Sequence, residues 1–262
     1  MDFFPALKRI FASFVRFGLK TNRTRLFWII SLIPVVLLGI IKIIEVAKPA
    51  SGISTADFYS NTVLVFYFQL LIPVLALFYG SSIITDEVDN KTLVYLTTCP
   101  VPKSSILLGK YLACIVLMAM IISSSFFISF LIATSKTLNS PDAWAGFFRI
   151  AGVSLVALLS YSAIFTFLGT LMRRSILIGL LFVFGWESIV QYFPGSTQKF
   201  TLIHYVKSLL PFQAEQTKFL VFHLEPSGAA ESLVTLLLVA AVFLTVTTVV
   251  FQKKEYVIGD SN

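Results

Sequence analysis

The chain has 262 residues, of which 57% are hydrophobic and 13% charged, with 26 phenylalanines and a formal net charge of +7. A soluble domain carries about 25% charged residues; this chain has too few ionisable groups to coat a water-facing surface, and it belongs in a bilayer. Nucleic acid is not indicated as a partner, because the basic residues lie in short clusters beside apolar runs, the footprint of membrane orientation.

Residues 1–25 come first. At 100° per residue, Phe3, Phe4, Leu7, Ile10, Phe11, Phe14, Val15 and Phe17 fall on one side, and Lys8, Arg9, Arg16 and Lys20 on the other. This predicts a helix lying on the inner leaflet, its basic face toward anionic headgroups. It does not read as a signal peptide: the apolar run that follows is long enough to span, whereas a signal core is roughly 7–15 residues.

A spanning helix needs roughly 20 apolar residues, and six segments qualify. They are Leu26 to Ile44, Thr62 to Ile84, Leu107 to Ala133, Ile150 to Met172, Ser175 to Phe193, and Leu233 to Phe251. The expected fold class is therefore an all-α membrane protein with six transmembrane helices in one domain. Pro34 and Pro73 lie inside spans, where neighbouring helices can re-satisfy freed carbonyls, and predict kinks. Arg173 and Arg174 alone separate the fourth and fifth spans, which must form a tight hairpin.

Glu187 is the ionisable residue set deep in a span. It lies roughly 18 Å along the helix from Ser175, beyond the midpoint of the bilayer. Such a charge either lines a translocation path or sits at a wet outer interface beside Trp186 and Gln191.

Orientation follows from lysine and arginine. With the N-terminus in the cytoplasm, the inner side holds six basic residues up to Arg25, then Lys91, Lys103, Lys110, Arg173, Arg174, Lys253 and Lys254. The outer side holds Lys42, Lys48, Lys136, Arg149, Lys199, Lys207 and Lys218. This bias places both termini in the cytoplasm of a multi-pass inner (plasma) membrane protein. Outside, residues 194–231 read as two short helices around Pro211, too short to span and too apolar for a loose loop, and expected to lie in the outer interface or dip into it.

Between the second and third spans, Ile84 to Lys110 is polar yet patterned. Thr85 has the makings of a cap for a helix whose first turn holds Asp86 and Glu87, carboxylates placed at the positive end of the dipole. Val88, Thr92, Tyr95 and Leu96 share a face, and Pro100 ends the helix after Cys99. The segment 85–99 is thus predicted to be a short helix tied to a span at each end.

Catalytic motifs are missing. There is no GxxxxGK[ST], GxSxG or HExxH; His204 and His223 lie in separate helices and predict no metal site. Cys99 and Cys114 lack CxxC spacing and imply neither disulfide nor zinc. No catalytic residue or cofactor is expected.

The run from Glu87 to Lys110 resembles the signature of type-2 ABC transporter permeases: Glu, three residues, Gly-Thr-Leu, a leucine-rich turn, Pro, a basic residue, then an apolar pair before Gly-Lys. The matching positions are Glu87, Thr92, Leu93, Leu96, Pro100, Lys103, Leu107, Leu108, Gly109 and Lys110; Lys91 stands where the family commonly has glycine. The resemblance implies that 1–25 is an elbow helix and 85–99 a coupling helix docking in a groove of a separate ATPase subunit. Leu93, Tyr95 and Leu96 would fill that groove beside Thr92, with Asp86, Glu87 and Asp89 toward its rim. It further implies the permease subunit of an ABC exporter, paired with a second permease subunit as homodimer or heterodimer, with ATP hydrolysis in the partner. The alternatives are an ATP-independent channel or secondary transporter, and an intramembrane enzyme. Substrate is not legible.

Overall fold

Backbone in hydrocarbon must satisfy its own N–H and C=O groups, and helices do so within each segment. The computed structural model describes residues 3–48, 54–89, 103–135, 140–172, 174–190, 196–211 and 227–253, and every regular element among them is helical. The α-helices are α1 (Phe3–Lys20), α2 (Asn22–Ser31), α3 (Ile33–Ala47), α4 (Thr55–Thr62), α5 (Ile72–Asp89), α6 (Lys103–Ala133), α7 (Pro141–Leu171), α8 (Ser175–Leu180), α9 (Ser188–Val190), α10 (Leu202–Leu209) and α11 (Ala229–Lys253). A π-helical segment, Val63–Leu71, joins α4 to α5; a second, Leu181–Glu187, joins α8 to α9.

Among the described residues, five helical runs are long and apolar enough to cross a membrane: Asn22–Ala47, Thr55–Glu87, Lys103–Ala133, Pro141–Leu171 and Ala229–Lys253. Ser175–Val190 is a shorter apolar helix, roughly 24 Å long against a hydrocarbon core of about 30 Å. The end of the expected fifth span, beyond Val190, lies outside the described residues. On either side of the expected tight turn, α7 ends at Leu171 and α8 begins at Ser175, and the two helices pack together; Arg173 itself lies outside the described residues.

The two prolines act differently. Pro34 has no N–H to give, and its ring crowds the carbonyl of Ile30. The helix breaks just before it, at Leu32, whose N–H reaches back only to the Ile29 carbonyl at 3.1 Å. The Ser31 carbonyl at this break accepts a hydrogen bond from the Ser125 hydroxyl of α6. At Pro73 there is no break, because the preceding turns are already wound as a π-helix. Ile72 N–H bonds the Tyr67 carbonyl five residues back, and that wider winding carries the chain past the proline.

Tyr67, Tyr79, Tyr111 and Tyr161 are fully buried, and each hydroxyl bonds a different helix. Tyr67 reaches Ser125 (2.6 Å) and Ser129 (3.0 Å) on α6; Tyr79 reaches Thr24 on α2 (2.7 Å). Tyr111 donates to the Leu159 carbonyl on α7 (2.8 Å), and Tyr161 to Glu187 (2.7 Å). Ser160 ties α7 to α11 through the Leu236 carbonyl at 2.9 Å. Lipid supplies no hydrophobic drive between helices, so such bonds and close packing hold the bundle.

The closest packing is between α5 and α7. A Cβ at Gly169 would lie 3.0 Å from the Cα of Ser81 and nearer still to its carbonyl, so the helices touch backbone to backbone. Gly152, on the same helix, has nothing within 4 Å of that position. Gly169→Ala is expected to cost about 1–3 kcal/mol, read as a lower melting temperature in detergent. Gly152→Ala should match the wild type or exceed it slightly; equal melting of both variants would show that the seam is not tight.

Candidate functional site

Lys110 lies on the second turn of α6 with its side chain only 4% exposed. An ammonium taken out of water is costly unless it is paired. The last turn of α5 supplies the partner: Glu87 Oε1 stands 2.5 Å from Lys110 Nζ, which also donates to the Ile83 carbonyl at 3.4 Å. Helix α1 roofs this pair, with the Phe14 ring 4.7 Å from Nζ. Gly109 permits that approach: a Cβ there would meet Ile10 at 3.1 Å and the Leu7 carbonyl at 3.4 Å.

A second pair lies alongside. Arg23 of α2 reaches Asp86 at 3.4 Å and rests 4.8 Å over the Tyr79 ring. Thr24 bonds the Tyr79 hydroxyl and donates to the Gly18 carbonyl at 2.6 Å, fixing the corner between α1 and α2. The two pairs thus join α1, α2, α5 and α6 around a cavity of about 200 Å³.

Of the residues expected to meet a partner, Asp86 and Glu87 belong to this cluster and Asp89 ends α5. Thr92, Leu93, Tyr95 and Leu96 lie outside the described residues. The structure differs from expectation at Thr85. It starts no new helix: its hydroxyl donates to the Ser81 carbonyl one turn back (2.9 Å), and α5 runs on to Asp89. A threonine that bonds backward inside a helix and one that caps the next are alike in sequence.

Glu187 closes the second π segment and is 5% exposed. Its carboxylate accepts from the Tyr161 hydroxyl and from the backbone N–H groups of Leu202 (3.0 Å) and Ile203 (3.1 Å). These are the first N–H groups of α10, which have no partner inside that helix. Thr201, at the N-cap, makes no side-chain cap; Glu187 caps α10 from another helix. At the other end, Arg149 Nε donates to the Leu209 carbonyl at 3.2 Å.

Held at both ends, α10 packs into the bundle. Leu202, Ile203, His204, Val206 and Leu209 are buried, and it packs against α7, α11 and the first π segment. The second outer helix expected from the sequence lies outside the described residues. His204 Nε2 is 3.0 Å from Ser227 Oγ, and burial, helped by Lys199, pushes its imidazole below the usual range. Burial also lowers the Lys207 ammonium to about 8, against the pull of Glu187.

Sequence reasoning did not foresee the pairing of Lys110, the seat of Arg23 or the bond from Tyr161. The available signal was a lone lysine in an apolar run, which demands a partner. It does not say which.

A buried charge clamp at one end, a carboxylate-capped helix at the other and long apolar helices between define a multi-pass helical membrane protein. The chain belongs to the ABC-2 family transporter proteins, matching that family over residues 19–256; it is an ABC transporter permease. No curated protein matches the chain.

Glu187→Gln replaces an acceptor of three bonds by an amide whose NH₂ faces other donors. The cost should be about 1.5–3 kcal/mol, the range for hydrogen bonds to a charged group, measured as thermal unfolding in detergent. An unchanged melting temperature would remove the carboxylate from the support of α10.

Lys207 sets a pH dependence. Its folded value of about 8 lies below the ordinary 10.5, so between these values the unfolded chain binds more protons and stability rises with pH. Below about 8 the effect is flat. Wild type should therefore gain melting temperature relative to Lys207→Met between pH 8 and 10; parallel curves would refute the assignment.

Proposed function

We propose that the chain is one subunit of an ATP-driven exporter, forming half of the translocation path and working with a second permease subunit and a separate ABC ATPase. Six spans, both termini in the cytoplasm and residence in the inner (plasma) membrane complete the reading; the basic residues support that orientation. The stretch from Asn90 to Pro102 would carry the main contact with the ATPase, through Leu93, Tyr95 and Leu96 beside Thr92.

One observation carries this reading. The helices that deliver and receive that stretch, α5 and α6, are locked together by the buried Glu87–Lys110 pair, and α1 is seated on the lock. A push on the connecting segment would therefore move α5, α6 and the elbow as one body. In this arrangement Glu87 serves the lock, and the rim contacts fall to Asp86 and Asp89. Glu187 would act on the path from its outer end, by holding α10 in place.

Co-expressed with the ATPase, Leu93→Asp and Tyr95→Asp should each reduce co-purification of the ATPase at least tenfold while leaving the permease in the membrane. Undiminished capture by both variants would sink the assignment. In a cysteine-free background, Lys199→Cys should react with an impermeant reagent outside intact cells, and Lys253→Cys should not; the reverse pattern overturns the orientation.

A further inference from the structure

We propose that the cavity beneath α1 is a binding site for the headgroup of one anionic phospholipid, a phosphodiester carrying a net negative charge. The cavity, about 200 Å³, has an apolar floor that includes Ala113 and Leu117 and carries Arg23 and Lys110 on its walls. The two cations differ in what they already hold. Lys110 is matched by a short contact to Glu87 and is almost wholly enclosed.

Arg23 is not matched in this way. Its contact with Asp86 is a single approach at 3.4 Å, and a third of its side chain is exposed. Its Nε is buried and makes no hydrogen bond within the described residues. A buried donor without an acceptor is costly, and a phosphate oxygen is the acceptor that a guanidinium fork fits best. Asp86 and Glu87 also line the cavity, but each already faces a cation. Lys20 and Arg25 are exposed just along the chain on either side of the lining residues Thr21 and Arg23, so the surrounding field favours an anion.

The surroundings argue for a lipid rather than a soluble anion. Phe17, which lines the cavity, is 73% exposed, and Leu19, two residues further along α1, is 45% exposed. Acyl chains would lie over these side chains while the phosphate sits on Arg23. Basic pockets between helices beside an apolar surface select anionic headgroups in this manner. One lipid placed so would pin α1 to α5 and α6. The proposal rests on the geometry of the cavity and not on the transport role or orientation given above.

Native mass spectrometry of the detergent-purified permease, offered phosphatidylglycerol and phosphatidylcholine with the same acyl chains, tests this without an ATPase or an oriented membrane. One phosphatidylglycerol per chain should be retained at least tenfold over phosphatidylcholine. Arg23→Gln should lower that retention at least tenfold, and Arg23→Lys, a point charge without the fork, at least threefold. Arg25→Gln, the same charge change at an exposed neighbour, should stay within twofold. Equal losses in Arg23→Gln and Arg25→Gln, or no preference over phosphatidylcholine, would overturn the site. Displacement of the lipid by millimolar glycerol 3-phosphate would identify a soluble phosphate as the ligand and overturn the lipid. Should Arg23→Gln fail to fold by its size-exclusion profile, the wild-type lipid ratio and the glycerol 3-phosphate competition decide.

Discussion

The Glu87–Lys110 contact holds together the end of the molecule from which the polar connecting segment emerges. Lys110 has been taken out of water there and Glu87 largely so; removing Glu87 would leave a buried ammonium unpaired, at a cost of about 3–5 kcal/mol. The pair therefore keeps the end of α5 and the start of α6 in a fixed relation, whatever the intervening segment does. Seating α1 over it removes more water and strengthens the attraction, because the local dielectric falls. The Phe14 ring above the ammonium adds a cation–π contact to that roof.

The same logic, polar groups made safe by pairing, runs through the rest of the bundle. Tyr67, Tyr79, Tyr111 and Tyr161 each place a hydroxyl on a neighbouring helix, at positions where hydropathy alone would be satisfied by phenylalanine. With apolar surface on both the lipid and the protein side, packing alone discriminates poorly between helix registers. A hydroxyl that must find one acceptor discriminates well, since the unpaired alternative is penalised in hydrocarbon. The Gly169–Ser81 contact has the same effect by steric means: only one sliding position of α5 on α7 brings the glycine opposite the backbone it must touch.

The long helices were legible because each apolar run is longer than a turn of ambiguity at either end. Leu107 to Ala133 became Lys103–Ala133, and Leu233 to Phe251 became Ala229–Lys253. Pro34 and Pro73 both mark points of distortion, but sequence does not distinguish a break from a π-wound turn. That choice depends on whether the preceding residues can bond five back, as Ile72 does to Tyr67. Thr85 misled because its role is set by the next turn and not by its own neighbours. Glu187 was legible as a buried charge but not as a cap, since its partners Leu202 and Ile203 come from a helix that packs back onto it only in three dimensions.

The two polar clusters are not isolated from each other. Lys110 and Tyr111 are adjacent on α6; Tyr111 bonds the Leu159 carbonyl of α7, two residues before Tyr161, which in turn donates to Glu187. The links are an ion pair and hydrogen bonds joined by short stretches of helix, and close-packed interiors transmit displacement more readily than they absorb it. A movement that shifts α6 along α7 must break or carry the Tyr111 contact. A movement that carries it draws Tyr161 against the carboxylate that holds α10. Under the proposed function, the charge clamp where the motor would act and the cap on the outer helix are therefore ends of one connected set of contacts. The π turn that ends at Glu187 departs from α-helical winding at the last of these contacts, and such turns recur at functional sites.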